Sequence, residues 1–191
     1  DNGVLFTKDM TSLIKYPPKK SDSSYSVPET VKSIESGAFS GCSLESILIP
    51  ESVKTIGDYA FSGCSLKSIT IPESVKTIGD YAFSGCSLKS IIIPESVKTI
   101  EGNAFYSCSK LVSGTFGAIN WSFINNNLSF SAKSGMKFKK FWSFPWNGLL
   151  YSVNSITFET DIVFIETGVF KPLSFLSAIY YKGKLVPDCA K

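Results

Sequence analysis

The chain has 191 residues, 43% of them apolar, enough to bury a core in one solenoid or in one to two compact domains. Nineteen Lys and Arg against 16 Asp and Glu leave a net charge of +3, well short of the strongly basic face of a nucleic-acid binder. Histidine is absent, which removes the commonest general base and the commonest transition-metal ligand and points away from an enzyme.

In chain order, residues 1–27 read as a hairpin and lead-in strand. Val4-Leu5-Phe6 and Leu13-Ile14-Lys15-Tyr16 form its arms around a polar turn, and Pro17-Pro18 and a polar stretch follow. The chain opens Asp1-Asn2-Gly3 without an initiator Met, as expected of a processed protein or an excised ectodomain. No apolar run approaches the ~18 residues of a membrane span.

Residues 28–116 repeat every 22 residues. Pro28, Pro50, Pro72 and Pro94 keep this spacing, as do Val31, Val53, Val75 and Val97, and Ile34, Ile56, Ile78 and Ile100. Phe39, Phe61, Phe83 and Phe105 form another column, and Cys42, Cys64, Cys86 and Cys108 a further one. Residues 50–71 and 72–93 differ only at Thr70 against Ile92. Within one unit, Leu66-Lys67-Ser68-Ile69-Thr70-Ile71 predicts a strand with Leu66, Ile69 and Ile71 inward and Ser68 and Thr70 outward. Pro72 ends it, because it cannot donate the next ladder bond. Val75 and Ile78 turn inward again, Gly79-Asp80 bends, and Ala82-Phe83 opens a tight helical turn closing at Gly85-Cys86. One coil cannot bury its own apolar face, whereas stacked coils can.

Residues 117–150 read as a hairpin insertion rich in aromatics. Ile119, Trp121 and Phe123 alternate with polar residues, Asn125-Asn126-Asn127 turns, and Leu128 and Phe130 return. Residues 151–191 read as divergent repeats. Val153 to Phe158 restore the strand pattern, and Ile162, Ile165, Val169 and Phe170 fall where Val75, Ile78, Ala82 and Phe83 fall earlier. Leu176 to Tyr181 read as a last strand. The expected fold is a leucine-rich-repeat solenoid, with short parallel strands on one face, tight and short helical turns on the other, an N-terminal hairpin and a hairpin insertion.

The unit I-P-E-S-V-K-T-I-G-D-Y-A-F-S-G-C-S-L-K-S-I resembles the BspA-type leucine-rich-repeat family of surface proteins in oral bacteria and parasitic protists. Asn2-Gly3-Val4-Leu5-Phe6 through Tyr16-Pro17 is similar to the lead-in before that family's first repeat. The stretch with Trp121, Gly135-Met136 and Pro145-Trp146 is similar to its spacers. The resemblance implies a cell-surface or extracellular adhesin contacting host matrix proteins or other cells. It supplies no ligand-contact residues.

The candidate ligand face consists of the outward strand positions Ser46, Leu48, Ser68, Thr70, Ser90, Ile92, Ser113, Thr115, Ser155 and Thr157. These side chains are small and mostly hydroxylic, unlike the Trp, Tyr and Arg of interface hot spots. A second candidate is the basic-aromatic stretch of the insertion: Lys137, Lys139, Lys140, Phe141, Trp142 and Trp146. It would grip a glycan, an anionic membrane surface or, least favoured, single-stranded nucleic acid, or else its aromatics fill the junction between the repeat blocks. Asn120-Trp121-Ser122 and Asn127-Leu128-Ser129 are N-glycosylation sequons, with Asn127 favoured by its place in the turn.

The four aligned cysteines read as buried reduced thiols, since parallel side-chain vectors do not suit a disulfide and zinc spacing is missing. Lys32, Lys54, Lys76 and Lys98 offset Glu29, Glu51, Glu73 and Glu95 on a solvated face. The reading is a non-catalytic adhesion or protein-interaction module without cofactor or metal. Its partner is a host matrix or cell-surface protein, or a glycan, and not nucleic acid. The alternatives are a self-associating surface coat, and a carbohydrate-binding module built on the aromatics of residues 138–146.

Overall fold

The computed structural model describes residues 3–132, 136–138, 153–165 and 176–185, with backbone placement alone for 136–138, 162–165 and 185. The chain opens with an antiparallel hairpin of β1 (Leu5–Phe6) and β2 (Ser12–Lys15). Each following coil contributes two short strands. The first set is β3 (Ser24–Ser26), β5 (Ser46–Leu48), β7 (Ser68–Thr70) and β9 (Ser90–Ile93). The second is β4 (Ser33–Ile34), β6 (Thr55–Ile56), β8 (Thr77–Ile78) and β10 (Thr99–Ile100). A meander of β11 (Ser113–Phe116), β12 (Ile119–Ile124) and β13 (Asn127–Ala132) follows. Beyond it lie β14 (Met136–Phe138), β15 (Ser155–Phe158), β16 (Ile162–Ile165), β17 (Ala178–Tyr181) and β18 (Lys184–Leu185).

The coils have three walls. One is a six-stranded sheet in the order β1-β2-β4-β6-β8-β10, parallel after β2, which stacks Leu13, Ile34, Ile56, Ile78 and Ile100 in register. A second is an eight-stranded sheet in the order β18-β17-β15-β13-β12-β11-β9-β7. Beside its β7 edge, β3 and β5 make a parallel pair. Thus the wall opposite the long strands is also a sheet, although each coil gives it only two residues.

The third wall is the turn side, and it too is a ladder. The N–H groups of Tyr59, Phe61 and Gly63 donate to the carbonyls of Asp80, Ala82 and Ser84 one coil on, at 2.9, 2.7 and 2.7 Å. Alternate amides therefore point along the solenoid, and none remains for a run of i→i−4 bonds. Where the sequence predicts a helical turn at Ala82–Cys86, the chain forms single i→i+3 turns, such as Cys86 N–H to Phe83 O at 3.2 Å. No helix occurs among the described residues.

The chain bends at Gly79-Asp80 as expected. Gly79 does not take a positive φ; Tyr81 does, at 54°. Gly79 is needed for space, because a Cβ there would stand 2.3 Å from Asp58 Oδ1 and 2.6 Å from its backbone nitrogen. At the C-terminal end, β17 is not the last strand: β18 folds back antiparallel to it, pairing Lys184 with Tyr181.

Inside the walls, Phe39, Phe61, Phe83 and Phe105 stack at centroid spacings of 5.0, 5.2 and 5.4 Å with interplanar angles of 10° or less. Burial contributes about 1.5–3 kcal/mol per ring, and each ring pair about 0.5–1.5 kcal/mol more. Tyr16 caps the column against Phe39 at 5.3 Å, and its hydroxyl donates to Asp22. Cys42, Cys64, Cys86 and Cys108 are buried free thiols beside this column. The Sγ atoms of Cys64, Cys86 and Cys108 donate to the carbonyls of Phe39, Phe61 and Phe83 in the preceding coil.

The hairpin β12–β13 continues the long sheet. Its two-residue turn is Asn125-Asn126, both at positive φ, the geometry that matches the twist of paired strands. Trp121 is buried opposite Gly114 of β11, where a Cβ would lie 2.4 Å from Ile91 O and 3.0 Å from Trp121 Nε1. The glycine makes room for the indole.

Candidate functional site: an uncharged sheet face

Strand alternation sends every second residue of the long sheet to solvent. Ser68, Ser90, Ser113, Ser122, Ser129, Thr157 and Tyr180 stand in one unbroken register across seven strands. A second row runs Thr70, Ile92, Thr115, Asn120 and Ser131. Ser155 pairs with Asn127 and with Ala178. Ser46 and Leu48 extend the face on β5, beside β7. The ten outward strand positions selected from sequence thus share one surface. Leu48 and Ile92 are its apolar points, 66% and 50% exposed.

The face also holds residues that repeat counting leaves out. Asn120, Ser122, Asn127, Ser129 and Ser131 come from the hairpin and lie between β11 and β15. Their signal is the complement of the alternation that reveals the hairpin: Ile119 and Trp121 point inward, so Asn120 and Ser122 point outward.

Asn127 is not in the turn. It is the first residue of β13, and its amide is occupied: Nδ2 donates to Ser129 Oγ at 2.9 Å, and Oδ1 accepts from Ser155 Oγ at 2.8 Å and Thr157 Oγ1 at 3.1 Å. Asn120 is the exposed sequon asparagine. Of the basic-aromatic candidates, Lys137 lies on β14, and Lys139, Lys140, Phe141, Trp142 and Trp146 lie outside the described residues.

A shallow cleft of about 370 Å³ runs along one border of the face, floored by Thr70, Ile92 and Thr115 and edged by Glu51, Glu73 and Glu95. Lys54 and Lys76 donate to the backbone carbonyls of Glu51 and Glu73, and the Glu51 carboxylate accepts from the Ser74 amide at 3.0 Å. Among the described residues, no group of three or more Cys, Asp or Glu could hold a metal ion. The thiols are shielded. Cys42 lowers the pKa of Cys64, but Cys86 and burial outweigh it and push the Cys64 thiol up to about 12. Burial pushes Cys108 up to about 11. A neutral buried thiol is a poor nucleophile.

A second surface feature lies on the turn wall. Tyr59 and Tyr81 stack face to face at 5.0 Å and 2°, and Tyr106 meets Tyr81 edge-on at 5.9 Å. Both stacked tyrosines have φ near 54°. A side chain in this left-handed region costs roughly 1–2 kcal/mol. One stacked pair returns about 0.5–1.5 kcal/mol. Gly37, in the matching position of the preceding coil, reaches φ 62° without that cost.

These features define a class: a parallel β-solenoid scaffold that displays an extended uncharged face. Six copies of the BspA type leucine-rich repeat region match residues 32–144, and the chain belongs to that family. Among solved structures, it is similar to the pneumococcal vaccine antigen PcpA, at 27% identity over 95% of this chain and 41% of that one, with a TM-score of 0.63. A leucine-rich repeat protein from Eubacterium ventriosum is 23% identical over 83% of this chain and 54% of that one, at a TM-score of 0.48. A leucine rich cell surface protein from Faecalibacterium prausnitzii is 22% identical over 83% and 41%, at 0.38. The chain spans about half or less of the length of these three proteins. No curated protein matches it.

Proposed function

We propose that the chain is a non-catalytic interaction module of a cell-surface or secreted protein, and that it contacts extracellular-matrix or cell-surface proteins through the outward face of the long sheet. The observation that carries this reading is the unbroken hydroxylic row from Ser68 to Tyr180, flanked by exposed Leu48 and Ile92. Hydroxyls can donate and accept, and desolvating them costs far less than desolvating charges. An uncharged face of this kind suits broad contact with a partner. Family membership supports a binding scaffold, and the similarity to a vaccine antigen supports exposure outside the cell.

The test is binding of the purified chain to immobilised matrix proteins and to host cells, compared with Leu48→Glu/Ile92→Glu. Saturable binding that the double variant loses, with an unchanged unfolding midpoint, is the expected result. Binding that survives in the double variant and disappears with Lys139→Glu/Phe141→Ala/Trp142→Ala would move the contact to the insertion. Absence of binding by the unmodified chain would end the adhesion reading.

A further inference from the structure

The tyrosine row on the turn wall is used neither by the core nor by the sheet face. Tyr59 is 47% exposed and Tyr106 55%. One end of the row is closed by Tyr106, which stands edge-on against Tyr81. The other end is open. Gly37 occupies the matching position in the preceding coil with the same left-handed backbone, and a Cβ there would meet nothing within 4 Å. The ring that would continue the stack is missing. With coils about 4.8 Å apart, a ring placed there would lie within stacking distance of Tyr59.

A cation marks the edge of this gap. Lys15 Nζ donates to the Gly37 carbonyl oxygen at 2.6 Å, which leaves two N–H donors for another acceptor. The gap thus offers a flat apolar face and an ammonium beside it. A pyranose has an axial C–H face that lies flat on an aromatic ring, and a carboxylate on the sugar would take the lysine donors as a charge-assisted bond.

We propose that the gap above Gly37 is a glycan subsite, which holds one carboxylated pyranose stacked on Tyr59 and hydrogen-bonded to Lys15. It is separate from the sheet face, and the two stand or fall independently. Tyr59 supplies its platform from a left-handed backbone position.

The test is titration of the full chain with a hyaluronan octasaccharide as the acidic probe and chitotetraose as the neutral one, read by calorimetry and by saturation transfer from the tyrosine ring protons. The unmodified chain should bind the acidic probe saturably. Tyr59→Gly should lower that affinity at least about tenfold, the size of one lost stacking contact. Gly37→Tyr fills the gap with a ring in the conformation Tyr59 and Tyr81 already adopt, and should abolish binding. Lys15→Gln should weaken the acidic probe by about tenfold or more and leave the neutral one unchanged. Circular dichroism confirms folding, and if Gly37→Tyr fails to fold, Tyr59→Gly carries the test because it removes strain. No saturable binding of the acidic probe at millimolar concentration overturns the proposal. So does binding indifferent to Tyr59→Gly, or equal affinity for both probes with no effect of Lys15→Gln.

Discussion

The thiol of Cys64 donates to the carbonyl oxygen of Phe39 at 2.8 Å, and the same oxygen accepts from the Cys42 amide at 3.1 Å. Each turn is thereby tied to the coil behind it by a side chain small enough to sit beside the phenylalanine column. An ionised sulfur could not donate, so the bond requires the protonated form. The Cys64 thiol at about 12 and the Cys108 thiol at about 11 both lie above the ordinary value of 9.0.

The sign of the resulting pH dependence follows. Below about pH 9 both chain states hold these protons, and the two thiols contribute no slope. Between about pH 9 and pH 11–12 the unfolded chain loses protons that the folded chain keeps. Stability should then fall by about 1.4 kcal/mol per pH unit for each thiol. Urea midpoints at pH 8, 9.5 and 10.5, with the fifth cysteine of the sequence, Cys189, changed to Ser, measure this. A midpoint flat across that interval, or labelling of native thiols at the rate of a free one, would contradict the shielding.

Phe61 lies between Phe39 and Phe83 at 5.0 and 5.2 Å and is fully buried. Phe61→Ala removes two ring contacts and leaves a cavity between coils held apart by their backbone ladders. A loss of about 3–5 kcal/mol is expected. Equilibrium denaturation reads it directly, and a cost under 1 kcal/mol would show that the coils slide together to fill the space.

Gly114→Ala should be destabilising despite sitting in a strand. The new Cβ meets the Ile91 carbonyl at 2.4 Å and the indole of Trp121 at 3.0 Å, so backbone or ring must shift. About 1–3 kcal/mol is expected, as for other overpacked sites. The Trp121 fluorescence maximum should move to longer wavelength as the ring is displaced. An unmoved maximum with unchanged stability would show that β11 can retreat from β9.

Tyr16→Phe keeps the stack on Phe39 and removes only the hydroxyl that donates to Asp22 at 2.8 Å. A cost of about 0.5–1.5 kcal/mol is expected. Tyr16→Ala should cost several times more, because it uncaps the phenylalanine column. Equal costs for the two variants would place the stabilisation in the hydrogen bond alone.

Much of this was legible in the sequence because period and alternation encode it. A 22-residue spacing puts Phe61 beside Phe39 and Phe83, and alternation separates Ile69 from Ser68 and Thr70. The second sheet was not legible, since Thr77-Ile78 is too short to show a period of two and becomes a strand only because Thr55-Ile56 and Thr99-Ile100 lie beside it. The tyrosine row was hidden for another reason. Gly79-Asp80 reads as a bend without saying which residue turns left-handed; Gly79 serves close approach and the left-handed residue is Tyr81. Local propensity cannot separate those two uses of glycine. On the sheet face, the hairpin residues were missed because the face is continuous in space while the repeat is interrupted in sequence.

The near-identity of residues 50–71 and 72–93 has a consequence for how the chain finds its native arrangement. Either segment fits the place of the other with almost no change in side chains, so a chain that skips one coil, docking its predecessor onto its successor, forms nearly native junctions. Such a looped-out arrangement forfeits one coil's worth of burial and little else. What tells the coils apart are the pieces that occur once: the Tyr16–Asp22 cap at one end and the Gly114–Trp121 fit at the other. Those two act as frame markers. Weakening either should populate shortened arrays and slow the last step of folding, even where the coils themselves remain stable.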